Sequence, residues 1–316
     1  MTDAGAAGTP ASGPAGAGLP GPGDDDAERA VAAIRERSGL VPRIGIILGS
    51  GLGPAADLVE QDASFSFEEL PGVPAPTVPG HAGRLLLGTL AGVPAAAFMG
   101  RIHYYEGHPM TVSSIPVRVA RLLGADIMVI TASVGALDPA LRPGSLVVAT
   151  DHLNMMGENP LRGWRNADGS PPFLDVSALY DPELRRIALE EAPAAGLEVA
   201  EGVYLAASGP TYETRAEIGF MRAAGGTVVG MSVVPEALPA KALGMRILGL
   251  FSVTNSVGGE VSHLEVLEVG RSMGPNLARL LARIVPRMAA TSAGGSQSSD
   301  AGAAVGAGSD EHETRS

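Results

Sequence analysis

Short apolar runs, many of them β-branched, recur along this chain, and most end in glycine or a polar residue. They fall at Ile44–Leu48, Arg84–Leu90, Val93–Met99, Asp126–Thr131, Ser145–Thr150, Gly202–Ala207, Thr227–Met231 and Ile247–Thr254. Several are apolar on both faces, so both faces of the sheet they form must be covered. Helical patterns lie between them at Val112–Leu123, Glu213–Ala224 and Val234–Leu243. A last helix is expected from Ser262 to about Met288, opening with the capping-box spacing Ser262-His263-Leu264-Glu265. Alternating strands and helices predict an α/β fold on a mixed or mostly parallel sheet.

The two ends read differently. Residues 1–26 are mainly Ala, Gly, Pro and Asp, and residues 291–316 are mainly Ser, Gly, Ala and acids. Neither can bury enough apolar surface to offset the entropy of ordering, so both are expected to be disordered tails around a single domain at residues 27–290. No internal repeat is visible. The N-terminus lacks the basic and apolar regions of a signal peptide, and no apolar stretch is long enough to span a membrane. The chain has no cysteine, which excludes disulfides and thiolate sites and fits a reducing cytoplasm. A formal charge of −12 argues against binding a nucleic-acid backbone. An anionic small molecule would need a local cationic pocket.

Polar residues gather at the ends of the apolar runs, where open α/β sheets hold ligands. "ILGSGLG" sets Ser50 among Gly49, Gly51 and Gly53, a turn whose backbone N–H groups can converge on an anion. It fits neither the dinucleotide fingerprint, the Walker loop nor the nucleophile elbow. "VPGHAGR" places His81 before a strand, and "MGRIHYYEGH" places Arg101, His103 and Tyr105 after one. These three alternate, so extended chain would point them the same way. Each also has a structural reading: His81 as a turn cap, His103 as a buried ring, Arg101 paired with Glu106. "SGPTYETRAE" puts Glu213 in the first turn of a helix beside Tyr212. "GMSVVPE" and "SVTNS" end strands in Ser232, Thr254 and Asn255. The histidines show no zinc-site spacing, so metal catalysis is not expected. Residues 151–180 form a long irregular stretch, a length usually reserved for function or an interface.

Together "ILGSGLG", "VPGHAGRL", "GRIHYYEGH", "DHLNMMGENPLRG", "SGPTYETRAE", "GMSVVPE" and "VTN…SHLEV" resemble the trimeric purine nucleoside phosphorylases, in family order over about residues 40–290. The resemblance implies a mixed, partly barrel-like central sheet flanked by helices in one phosphorylase-type domain. It implies phosphorolysis of 6-oxopurine nucleosides such as inosine and guanosine, in purine salvage. Inorganic phosphate is then a co-substrate and no cofactor is needed. It implies that Ser50, His81, Arg101, His103, Ser232 and a main-chain N–H near Ser133 surround phosphate. Tyr105, Met231 and His263 would contact ribose, and Tyr212, Glu213 and Asn255 the purine. His103, Glu213 and Asn255 carry the catalytic expectation. Phe173 matches an aromatic that family members insert into a neighbouring subunit's site, implying a homotrimer.

One segment departs from the family. The usual Asn-Ala-Ala-Gly-Gly is replaced after Thr131 by Ala132-Ser133-Val134-Gly135-Ala136, which keeps only Gly135. Two alternatives stay open. One is a methylthioadenosine phosphorylase, which favours Asp where this chain has Asn255 and small apolar residues where it has His263. The other is a catalytically weakened purine-binding homologue.

Overall fold

A computed structural model of the chain describes residues 21–259 and 263–293. Residues 1–20 and 294–316 of the expected tails, and the capping serine expected at Ser262, lie outside the described residues.

The ordered chain starts earlier than its composition predicts. Helix α1 spans Asp24–Arg35, with Asp24, Asp25 and Asp26 in the first turn, where the helix dipole favours carboxylates. Ala27, Ala30 and Ile34 recur at helical spacing and are fully buried. Asp24 forms an ion pair with the buried Arg118, whose guanidinium lies 3.8 Å from the ring centroid of Trp164. The boundary at residue 27 is therefore corrected to Asp24 or before. At the other end the final helix runs on to Ala293, past the expected boundary at residue 290.

The strands are β1 (Ile44–Leu48), β2 (Val59–Ser66), β3 (Arg84–Leu90), β4 (Val93–Met99), β5 (Ile127–Ala136), β6 (Leu146–Asn154), β7 (Val199–Ala206), β8 (Val228–Gly230) and β9 (Arg246–Ser256). The helices after α1 are α2 (Met110–Ser113), α3 (Ile115–Leu123), α4 (Pro182–Glu191), α5 (Arg215–Ala223), α6 (Val234–Ala242) and α7 (His263–Ala293). Sheet order is β2-β3-β4-β1-β5-β8-β7-β6-β9, and β9 also pairs with β5. That last pairing closes β5, β8, β7, β6 and β9 into a small mixed barrel, with β1 to β4 as an open arm. The expected mixed, partly barrel-like sheet is what forms.

Two large apolar cores flank the sheet, with a third, smaller cluster of Leu137, Leu205, Ile218, Met221 and Val229 under α5, and β1 shows how one strand serves both large ones. Ile47 joins the core with α1, α3 and α6, while Ile44, Ile46 and Leu48 join the core with α4 and α7. This is the two-sided burial that its unbroken apolar run requires. β4, β1, β5 and β9 are mutually parallel, so their carboxyl ends lie along one rim. No helix among the described residues is long and apolar enough to cross a membrane.

Candidate active site

The glycine turn after β1 is held from both sides. Thr131 of β5 donates its hydroxyl to the Ile47 carbonyl and accepts from the Gly49 N–H, both at 2.9 Å. A Cβ on Gly49 would lie 2.9 Å from the Ala132 Cα, so only glycine lets β1 and β5 approach this closely. Gly51 takes φ +77°, and a Cβ there would press on the backbone of Gly270 and Arg271 in α7. The Ser133 hydroxyl donates to the Ser50 carbonyl at 2.8 Å, completing the support. Ser50 is thereby aimed over the rim.

Opposite it stand the residues that follow β4. His81 Nδ1 accepts the Arg101 backbone N–H at 3.1 Å, which leaves Nε2 as the protonated nitrogen of the neutral ring, 2.9 Å from Ser50 Oγ. His81 therefore supports Ser50 and Arg101 from behind and does not line the cavity. Its ring meets His103 edge-on at 5.1 Å, and His103 stacks on Tyr105 at 4.7 Å. His103 is further held by Glu106, which accepts the His103 N–H at 2.6 Å and lies 3.3 Å from Nδ1. Burial alone would raise the Glu106 carboxyl. Hydrogen bonds from His103 and Thr77 overcome this and hold it at about 2. Burial also pushes the Tyr105 hydroxyl up to about 12, with the Glu106 charge adding to it. The Arg101–Glu106 pair weighed from sequence does not form. Arg101 is buried against Glu236 of α6, Nε to Oε1 at 3.0 Å, and donates to Ser232 Oγ at 2.7 Å and the Thr131 carbonyl at 2.5 Å. Burial raises the Glu236 carboxyl to about 7 against the lowering effect of Arg101.

A single cavity joins these groups to the far end of the barrel. Its empty volume is about 690 Å³, open mouth included. Ser50, Arg101, His103, Ser133 and Ser232 line one end, and Tyr212, Glu213 and Asn255 the other. Tyr105 and Met231 also line it. Asn255 sits opposite Gly135 across the β5–β9 ladder, where the register shifts, and a Cβ on Gly135 would lie 3.3 Å from Asn255 Nδ2. The Thr254 hydroxyl lies 3.1 Å from Asn255 Oδ1. Glu213 is half-buried, and burial raises its carboxyl.

One expectation changes. Glu213 is not in the first turn of α5: Thr214 is the N-cap, Glu217 completes the capping box, and Glu213 precedes both. His263 opens α7, but its side chain is outside those described. Phe173 is 95% exposed and lines a separate hollow with Trp164 and Pro171, away from this cavity within the subunit. In the departing segment Ser133, Val134 and Gly135 line the cavity, and Ala132, Val134 and Ala136 are buried in the apolar core. Glu106, Glu236, Thr131 and Tyr204 were missed as supports. Glu106 and Glu236 stand inside quoted motifs, but nothing in the motifs says that Glu106 holds His103 three residues before it, and the partners of Glu236, Thr131 and Tyr204 are far away in sequence. Among the described residues, no group of three His, Asp or Glu gathers as metal ligands.

Fold and site together define an α/β protein with one cavity that carries a guanidinium, an imidazole and hydroxyls at one end and a carboxyl and an amide at the other. The family described as "Phosphorylase superfamily" matches residues 43–286. "Purine nucleoside phosphorylase 1" of Bacillus subtilis is 42% identical over 265 residues, covering 83% of this chain and 98% of that protein. A crystal structure of Schistosoma mansoni purine nucleoside phosphorylase in complex with adenosine superposes with TM-score 0.77 at 32% identity, covering 84% of this chain and 97% of that one. Isoform 2 of that enzyme, in complex with cytosine and ribose-1-phosphate, gives TM-score 0.78 at 33% identity over 84% of this chain and 96% of that one. The chain belongs to the phosphorylase superfamily, within its purine nucleoside phosphorylase family.

Proposed function

We propose that this protein catalyses the reversible phosphorolysis of purine nucleosides, 6-oxopurine nucleosides such as inosine and guanosine in particular. The products are the free base and ribose 1-phosphate. The observation that carries this reading is one cavity with Ser50, Arg101, His103 and Ser232 at one end and Glu213 with Asn255 at the other.

Phosphate occupies the first end. Arginine supplies a fork matched to phosphate oxygens, and the serine hydroxyls and the N–H near Ser133 add neutral donors. Tyr105 and Met231, with His263 at the 5′-hydroxyl, bracket the ribose. A phosphate oxygen forms its bond to C1′ as the bond from C1′ to N9 breaks, and the bonding pair leaves with the purine. Positive charge on the ribose develops beside a held anion, so proximity and field both favour it. Negative charge on the base falls to Asn255, hydrogen-bonding at N7 and O6. Glu213, ionised, accepts N1–H of a 6-oxopurine, and Tyr212 packs on the ring. A 6-aminopurine has no N1 proton and leaves that carboxylate facing a lone pair.

No cofactor or metal takes part, and phosphate is a co-substrate. The working form is a homotrimer in which Phe173 covers a neighbour's ribose site, which accounts for so exposed an aromatic. Purine salvage in a reducing cytoplasm accords with the absence of cysteine. The test is a panel of inosine, guanosine, adenosine and methylthioadenosine, each with and without phosphate. Phosphate-dependent release of hypoxanthine and guanine well above adenine is expected. Preference for methylthioadenosine overturns the substrate assignment, and no release from any nucleoside leaves only a purine-binding homologue.

A further inference from the structure

The turn that presents Ser232 is held in a conformation its sequence disfavours. Val233 is β-branched yet adopts φ +70° and ψ −58°, and the Val234 N–H bonds back to the Ser232 carbonyl at 2.8 Å. This is a γ-turn of the rare positive-φ hand, which persists only where the surroundings over-determine it. Two buried groups supply that constraint. The Tyr204 hydroxyl lies 3.1 Å from both the N–H and the carbonyl of Ser232. Glu236, in the first turn of α6 and 2% exposed, places one carboxylate oxygen 3.0 Å from Arg101 Nε. Its other oxygen has no hydrogen-bond partner among the described residues, a costly way to bury a carboxyl group.

The arginine's donors explain what this arrangement does. Guanidinium has five N–H donors in a fixed plane. Nε is ion-paired to Glu236 at 3.0 Å without an aligned hydrogen bond, one Nη1 proton goes to Ser232 Oγ and one Nη2 proton to the Thr131 carbonyl. One proton remains on each terminal nitrogen, the pair that a bidentate oxyanion takes. An arginine free to rotate about its last torsions would offer that pair only part of the time.

We propose that Glu236 is a positioning residue for phosphate capture: it holds Arg101 Nε from behind and fixes the plane in which the two remaining N–H donors meet the anion beside Ser232. The inference rests on the phosphorolysis reading above. What Glu236 supplies is a carboxylate at a set distance, so charge and reach both matter. Glutamine keeps the reach and removes the charge, whereas aspartate keeps the charge and withdraws it by one methylene.

The experiment compares Glu236→Gln, Glu236→Asp and Glu236→Ala in the full chain by base release, varying phosphate and nucleoside separately, with Tm recorded for each. Glu236→Asp, Glu236→Gln and Glu236→Ala are each expected to raise the phosphate KM, Glu236→Ala about tenfold or more, with nucleoside KM little changed. Should Glu236→Ala not fold, the Asp and Gln variants carry the test. A wild-type phosphate KM in the folded variants overturns the proposal, as does a parallel change in both KM values that follows Tm. If the wild type releases no base, the phosphorolysis reading has failed instead. The rise in Tm on adding inorganic phosphate to wild type, reduced in the Asp and Gln variants, then still tests how Arg101 is positioned.

Discussion

Glu106 never reaches the cavity, yet the phosphate end is built on it. Its carboxylate accepts the Thr77 N–H and hydroxyl, both at 2.6 Å, and the His103 N–H at 2.6 Å, with His103 Nδ1 at 3.3 Å. Burial works against ionisation here, but those donors hold the carboxyl at about 2, below its ordinary 4.5. That drop corresponds to ~3 kcal/mol, and solvent screening near the rim reduces it to ~1–2 kcal/mol. A lowered carboxyl stabilises the fold fully above its unfolded value of 4.5, and the stabilisation is lost as pH falls from there toward 2. Glu106→Gln removes the charge and turns an amide N–H₂ toward groups that are themselves donors. The expected fall in Tm at pH 7 is ~2–8 °C, at 2–4 °C per kcal/mol for a domain of this size. Calorimetry at pH 7, 5 and 3.5 should show the gap between wild type and variant steady down to pH 5 and narrowing by pH 3.5. Phosphate KM should rise several-fold as His103 loses its partner. A gap that is absent at pH 7, or equally wide at pH 3.5, refutes the reasoning.

Asn255→Asp should cut inosine turnover about 10²-fold, by analogy with loss of one donor to a developing anion, and raise relative activity on 6-aminopurines; unchanged inosine kinetics in a folded variant remove Asn255 from the site. Because burial raises the Glu213 carboxyl, the acid limb of kcat/KM for inosine should lie above the ordinary carboxylate range, with activity lost as pH falls through it; an identical limb in Glu213→Gln denies Glu213 that role. Phe173→Ala should raise nucleoside KM without lowering Tm, and specific activity should fall on dilution; a fully active monomer in sedimentation at assay concentration contradicts the shared site.

How far the fold could be read depended on where its information sits. β1, β3 and β4 lie where their apolar runs end, because central strands write their burial on both faces. β2 escaped because it is an edge strand of mostly polar residues, Val59–Ser66, paired only with β3. α1 was hidden in an alanine-rich segment whose buried positions are mostly too small to stand out. α4 carried a readable start, Asp181 accepting from the Glu183 and Leu184 N–H groups with Pro182 at the first position, just past the irregular stretch of residues 151–180 and outside the expected helices. At the site, the motifs named the side chains facing the cavity. They did not name what holds them: Thr131, Tyr204 and Glu236 act on residues brought close only by the fold, and Glu106, though only three residues from His103, gives no sign in sequence of which neighbour it holds. Asn255 faces the cavity through a register shift against Gly135 that no local pattern encodes.

The central claim is that phosphate, and not water, takes the ribose. Phosphorus-31 NMR of inosine incubated with the full chain and inorganic phosphate measures this directly. The account predicts a ribose 1-phosphate signal growing in step with free hypoxanthine, no base released when phosphate is omitted, and loss of both products in Arg101→Met. Hypoxanthine released together with free ribose, at a rate independent of phosphate, would contradict it.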